Sequence, residues 1–296
     1  MNQAIKSVAQ SRQDTAATLI QRKTVVVDGN ISLSYLEAGS GKTIVLIPGW
    51  SQTADQFRFQ IEGLSAHYRV IALDLRGHGD SEKPSHGYRI QRLAKDVHEV
   101  LTSVNLNDVT LLGHSMGCTV IWCYFDLFGP DRIEKFVFCD QASFLTSNEH
   151  WTEQDIADYG AIFTRDSVDS TVQALCAPDA VDVSIGFLKT MVTSRMPADQ
   201  FQWIIDSNLK MPRSISGHLL YNHCHQDWRD VLPRITKPSL FIGGKASLVP
   251  ESCIRWEAAQ VKGAQLEIFS EDEGGSHFMF IENPEKFNAL LKNFMG

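Results

Sequence analysis

The stretch Gly113-His114-Ser115-Met116-Gly117 sets a serine between two glycines, directly after the β-rich run VTLLGHS (109–115) and directly before the helix-like MGCTVIWCYFDLFG (116–129). A serine on such a strand-to-helix turn has its Oγ pushed clear of the backbone. The first N–H groups of the helix, that of Met116 foremost, face the same space, where an oxyanion forms during acyl transfer. A serine nucleophile needs a base, and His277 answers that need: it stands in a Gly-Gly-Ser-His loop after the last β-run and before NPEKFNALLKNF. The base needs a carboxylate on its other ring nitrogen to hold the tautomer. Asp140, at the end of KFVFCD, is the expected acid, because a charge at the end of a buried strand needs a partner or a purpose.

Other groups compete for these roles. The run LFIGGKASLVPES (240–252) carries no acid at its loop, only Ala246 and Ser247, with Lys245 and Glu251 on either side. Glu251 follows a proline at a helix start, where an acidic residue suits the dipole. Glu271, Asp272 and Glu273 form a charge run of the kind that faces solvent. His114 is expected to point away from Ser115 and pack, and His78 in RGHGDS to serve its loop. His218, His223 and His225 cluster in GHLLYNHCHQDW without a cysteine or carboxylate at ligand spacing, so no metal site is expected.

The elements that position these residues are eight β-rich runs alternating with helix-like segments: 24–29, 31–39, 43–49, 69–75, 109–115, 135–140, 238–244 and 265–270. This alternation predicts a mostly parallel sheet with helices on both faces. The first two runs, joined at Asp28-Gly29-Asn30, read as an antiparallel hairpin. Residues 143–237 are too long for a loop and carry a helical pattern rich in aromatics and methionine: Phe144, Trp151, Tyr159, Phe163, Phe187, Met191, Met196, Phe201, Trp203 and Met211. They are expected to form a helical cap between strands six and seven, most of these side chains making its small core and the cap walling a cleft at the strand ends. The expected layout is a flexible extension over 1–23, a core over 24–142 and 238–296, and the cap over 143–237.

Taken with LIPGW (46–50), DLRGHGDSEKP (74–84) and GGSHFMFIENPEKF (274–287), the GHSMG motif makes residues 24 to 294 resemble the α/β-hydrolase fold family. The resemblance implies a nucleophile-first, histidine-last triad and a second oxyanion donor in the backbone N–H of Trp50. Where the family more often has His-Gly, this chain has Pro48-Gly49, a change that leaves the backbone donor in place. An acid after strand six is similar to that of zearalenone-type lactone hydrolases. Together with PGW it also resembles the cofactor-free dioxygenases of 3-hydroxy-4-quinolones, which use the His-Asp pair as a base. The implied activity is hydrolysis of a carboxylic ester, lactone or related carbonyl of a mostly apolar small molecule, with no cofactor; the dioxygenase is the alternative. A binding protein on the same fold is disfavoured by the intact Ser115, His277 and Asp140.

Composition narrows the field. The chain has 296 residues, a net charge of −8 and no basic block, which argues against a nucleic-acid partner. Its six cysteines lie scattered without a C-x-x-C pair, as expected of reduced thiols in a cytoplasmic protein, and no segment has the length of a membrane span.

Overall fold

The computed structural model describes residues 19–296. The expected extension over 1–23 therefore lies largely outside the described residues, and its end needs correction: strand β1 spans Gln21–Val27, three residues earlier than expected. The polar start QRK reads as loop, yet β1 is an edge strand whose charged side chains find partners. Arg22 lies 2.7 Å from Asp55 and 3.1 Å from Asp74, and Lys23 lies 2.7 Å from Glu37.

The eight expected strands form one sheet. After β1 come β2 (Ile31–Ala38), β3 (Thr43–Ile47), β4 (Arg69–Leu73), β5 (Val109–His114), β6 (Ile133–Cys139), β7 (Ser239–Gly244) and β8 (Gln265–Phe269). Their spatial order is β1-β2-β4-β3-β5-β6-β7-β8. The contacts of β2 with β1 and β4 are antiparallel and the rest are parallel. Every residue of β5 is buried, as a central parallel strand covered on both faces must be. Val109 and Leu111 enter one apolar layer and Leu112 the other, following the two-residue period.

The helices α1 (Arg58–Leu64), α2 (Ile90–Ser103) and α3 (Met116–Phe128) follow β3, β4 and β5. Between β6 and β7 run five more: α4 (Glu153–Tyr159), α5 (Arg165–Leu175), α6 (Ala180–Lys189), α7 (Ala198–Leu209) and α8 (Arg213–Cys224). The α9 helix (Glu251–Gln260) follows β7, and α10 (Met279–Glu282) and α11 (Pro284–Met295) end the chain. Leu93, Val97 and Leu101 of α2 join one layer with Val120 and Ile121 of α3, while Ile61 and Leu64 of α1 join Phe287 and Leu291 of α11 in the other. Each such fully buried side chain contributes about 1.5–3 kcal/mol. In the inserted segment α4 and α5 begin at Thr152 and Thr164, whose hydroxyls accept from the N–H groups of Asp155 and Ser167.

Parallel register decides what the sheet can position. Ile47 of β3 stands beside Gly113 of β5, His114 beside Cys139 of β6, and Cys139 beside Ile242 of β7. The residues that follow these strand ends, Trp50, Ser115, Asp140 and Ser247, therefore emerge along one edge of the sheet.

Candidate active site

Ser115 has φ 53° and ψ −130° between the end of β5 and the start of α3. A side chain at positive φ stores strain, held here because Ser115 donates its N–H to the Cys139 carbonyl at 2.8 Å and β5 is fixed on both sides. The tight turn needs its glycine: a Cβ on Gly117 would stand 2.3 Å from the Ile47 carbonyl oxygen. On the other side the loop after β3 passes so near that a Cβ on Gly49 would stand 2.8 Å from the Ser115 Cβ. Glycine at both places brings the backbone of Trp50 and of Met116 to the serine. Among the described residues, neither of those two N–H groups meets a protein acceptor.

The loop carrying Trp50 is held from the inserted helices. The Trp50 indole N–H donates to the Ser216 carbonyl at 2.7 Å, and the Ser51 hydroxyl donates to the Asn208 carbonyl at 2.8 Å. Arg213 donates to the same hydroxyl at 2.7 Å, and burial lowers its guanidinium to about 10. Ser51 itself has φ 60°.

Asp140 follows β6 with φ 56° and is wholly buried. Its Oδ2 lies 2.6 Å from the Nδ1 of His277, which is 2 % exposed. The hydroxyl of Ser247 donates to the same oxygen, so the loop after β7 sends a neutral donor across to the acid of the neighbouring strand. The sequence showed no acid at that loop, and its serine instead steadies the acid that β6 supplies. His277 is also fixed through its backbone. Its N–H donates to the Met191 carbonyl at 3.1 Å, and its own carbonyl lies 2.7 Å from the Nε2 of His114.

His114 does more than pack, correcting the expectation. Its Nδ1 lies 2.8 Å from the Gln52 side-chain oxygen, which accepts from the Gly49 N–H. The buried ring stands between the histidine loop and the loop of Trp50; burial holds its pKa well below the ordinary imidazole value, so the neutral ring has one N–H to donate to one of these two oxygens. His78 serves its loop as expected, with Nδ1 2.9 Å from the Arg76 carbonyl. Two of the rival acids have cationic partners of their own. Glu251 faces Arg255 at 3.7 Å, Glu273 pairs with Lys286 at 2.9 Å, and Asp272 offers its carbonyl to Arg195.

Ser115 and His277 open on one cavity of about 40 Å³. Trp50, Phe163, Phe187, Met191, Leu220 and Leu248 supply most of its apolar wall. Of the inserted segment's aromatics and methionines, Phe163, Phe187 and Met191 face this space. Phe144, Trp151 and Tyr159 instead form an edge-to-face series that reaches Trp256, with the Arg229 guanidinium over their rings.

Two polar residues near the site were not expected. His223 lines the cavity, while His218 and His225 of the same sequence cluster are exposed. Among the described residues no three His, Cys, Asp or Glu side chains stand close enough to hold a metal ion. Glu257 of α9 is fully buried, with Cys253 Sγ 3.6 Å from its Oε1, and desolvation, reinforced by the charge of Asp140, raises its carboxyl to about 8. Between about 4.5 and 8 the folded chain keeps a proton that the unfolded chain has released. Its stabilising contribution is present below 4.5 and is lost as pH rises through 8. Urea midpoints at pH 5, 7 and 9 for the wild type and Glu257→Gln should diverge towards alkaline pH. The wild type should lose on the order of 4 kcal/mol relative to the variant; parallel curves would mean the carboxyl ionises freely.

Comparison with known proteins agrees with the fold. The family profile described as alpha/beta hydrolase fold matches residues 42–196. A relative from Synechocystis sp., provisionally named a non-heme chloroperoxidase, is 32% identical over 278 residues, covering 90% of this chain and 95% of its own. A non-heme chloroperoxidase of Kitasatospora aureofaciens is 26% identical over 277 residues, covering 90% and 96%. Among solved structures, an esterase from Exiguobacterium antarcticum superimposes with a TM-score of 0.85 at 26% identity, covering 93% of this chain and all of its own. No helix among the described residues is long and apolar enough to cross a membrane.

Proposed function

Because the chain belongs to the alpha/beta hydrolase fold family and is an enzyme of that family, we propose that it is a serine hydrolase of carboxylic esters or lactones of mostly apolar small molecules, working through Ser115, His277 and Asp140. One observation carries the reading: a strained serine shares a cavity with a buried histidine whose Nδ1 stands 2.6 Å from a buried carboxylate. In this reading Ser115 Oγ attacks the carbonyl carbon while His277 Nε2 takes its proton. The oxyanion receives hydrogen bonds from the N–H groups of Trp50 and Met116, whose donors are free at the start. The intermediate collapses, the alcohol leaves with the proton from His277, and an acyl-serine remains. Water, deprotonated by the same nitrogen, then releases the acid and restores the hydroxyl.

Asp140 keeps the histidine proton on Nδ1 and balances the imidazolium. Ser247 holds that carboxylate in place without adding charge. Residues 143–237 act as the cap. Phe163, Phe187, Met191 and Leu220 of these residues wall the space above Ser115 and suit an apolar acyl chain.

The names of the relatives favour one variation. Hydrogen peroxide in place of water at the acyl-serine would give a peracid, which can oxidise halide. The test is a series of p-nitrophenyl esters of graded acyl length, followed at once by absorbance and by an oxygen electrode, with and without peroxide and bromide. Turnover without oxygen uptake is expected, fastest for medium acyl chains. Oxygen uptake on a 3-hydroxy-4-quinolone with no ester turnover would replace the reading with a dioxygenase, and bromination exceeding hydrolysis would replace water with peroxide.

A further inference from the structure

In α8, Ser216, Leu220 and His223 recur at helical spacing and form the stripe turned to the sheet. The Ser216 carbonyl holds the Trp50 indole, and Leu220 and His223 line the cavity above Ser115. Apolar side chains suit that wall, but His223 is an imidazole, 5 % exposed, and its Nδ1 meets no hydrogen-bond partner among the described residues. Burying a polar atom without a partner costs about 1–3 kcal/mol, so an imidazole in this apolar wall is held at a cost to stability. The other polar side chains of the cavity have uses. Ser115 and His277 belong to the chemistry, and the Gln141 amide nitrogen donates to the Ala142 carbonyl at 2.7 Å.

We infer that His223 is a specificity residue, and that the preferred substrate carries one uncharged oxygen function, a hydroxyl or a carbonyl, on its otherwise apolar acyl part, where it pairs with the His223 ring. The inference rests on the hydrolase reading for its position relative to the reacting carbonyl. Burial keeps the ring neutral, lowering its pKa to about 3, so it offers one donor and one acceptor and no charge. A carboxylate on the substrate finds no cation among the residues lining the cavity, and ammonium groups find no anion there. An uncharged oxygen satisfies the ring without either cost.

A matched set of p-nitrophenyl esters tests this: hexanoates with an oxo group at carbon 3, 4 or 5, each against the isostere with a methyl branch at the same carbon. At one position the wild type should favour the oxo ester by about tenfold in kcat/KM, the worth of one neutral hydrogen bond. In His223→Leu the ratio between the pair should fall to near one or invert, and His223→Gln, which keeps a donor and an acceptor, should restore part of it. Calorimetric binding of the oxo and methyl-branched N-propyl hexanamides to Ser115→Ala gives the same comparison without turnover. That arm decides the role of His223 even if the wild type hydrolyses no ester. Equal handling of both members at every position, in turnover and in binding, or an unchanged ratio in His223→Leu, overturns the inference.

Discussion

His277→Ala is expected to lower kcat for a p-nitrophenyl ester by about 10⁶-fold, the loss found when the base of a serine triad is removed. The rate falls so far because the same nitrogen serves both halves of the reaction, first accepting the serine proton and later activating water. The loop itself should survive, because the contacts of His277 with Met191 and His114 are made by its main chain. Stability should still fall by about 3–5 kcal/mol, since Asp140 would be left buried with Ser247 as its only side-chain partner. His277→Gln separates the two effects. Its amide can donate to Asp140 and keep the melting temperature near wild type, yet it cannot take a proton, so turnover should be lost equally. Activity above about one hundredth of wild type in both variants would remove His277 from the mechanism.

Asp140→Asn carries the second large effect, a loss of about 10⁴-fold in kcat, the magnitude seen when the triad Asp of a serine protease is so replaced. The amide keeps the shape but favours the other imidazole tautomer, placing a proton on the nitrogen that must accept one. Ser247→Ala should cost far less, about tenfold, because it removes a hydrogen bond to the carboxylate and leaves the charge. Glu251→Gln and Asp272→Asn should be close to neutral, since Glu251 faces Arg255 and Asp272 meets Arg195 through its backbone carbonyl, which the substitution keeps. Steady-state kinetics across the four variants decides the placement. A collapse at Glu251 or Asp272 with a mild effect at Asp140 would put the acid on a different element.

Much of this site was legible because its residues sit where a strand ends. GHSMG follows a fully buried run, Asp140 ends another, and His277 follows the last, so alternation of strand and helix was enough to gather them at one edge. What escaped depends on contacts across strands and on helix phase. Ser247 is unremarkable in KASLVP until β6 and β7 pair and bring it over Asp140. The roles of Glu257 and His223 turn on which face of α9 and α8 meets the interior, and a charged or polar residue within a helix ordinarily reads as solvent-facing. The early start of β1 was hidden for a related reason. Arg22 and Lys23 look like loop residues, but an edge strand tolerates them once Asp55, Asp74 and Glu37 stand opposite. The place of His114 is hidden for the same reason, since a single sequence cannot show that its two ring nitrogens meet two different loops.

Covalent capture tests Ser115 as the nucleophile without any assumption about the substrate. The wild type is incubated with an alkyl fluorophosphonate and its intact mass is measured, followed by peptide mapping. One adduct per chain is expected, located on Ser115, absent from Ser115→Ala and forming orders of magnitude more slowly in His277→Gln. A wild-type protein that hydrolyses esters but gains no adduct, or gains it on another residue, would contradict that role.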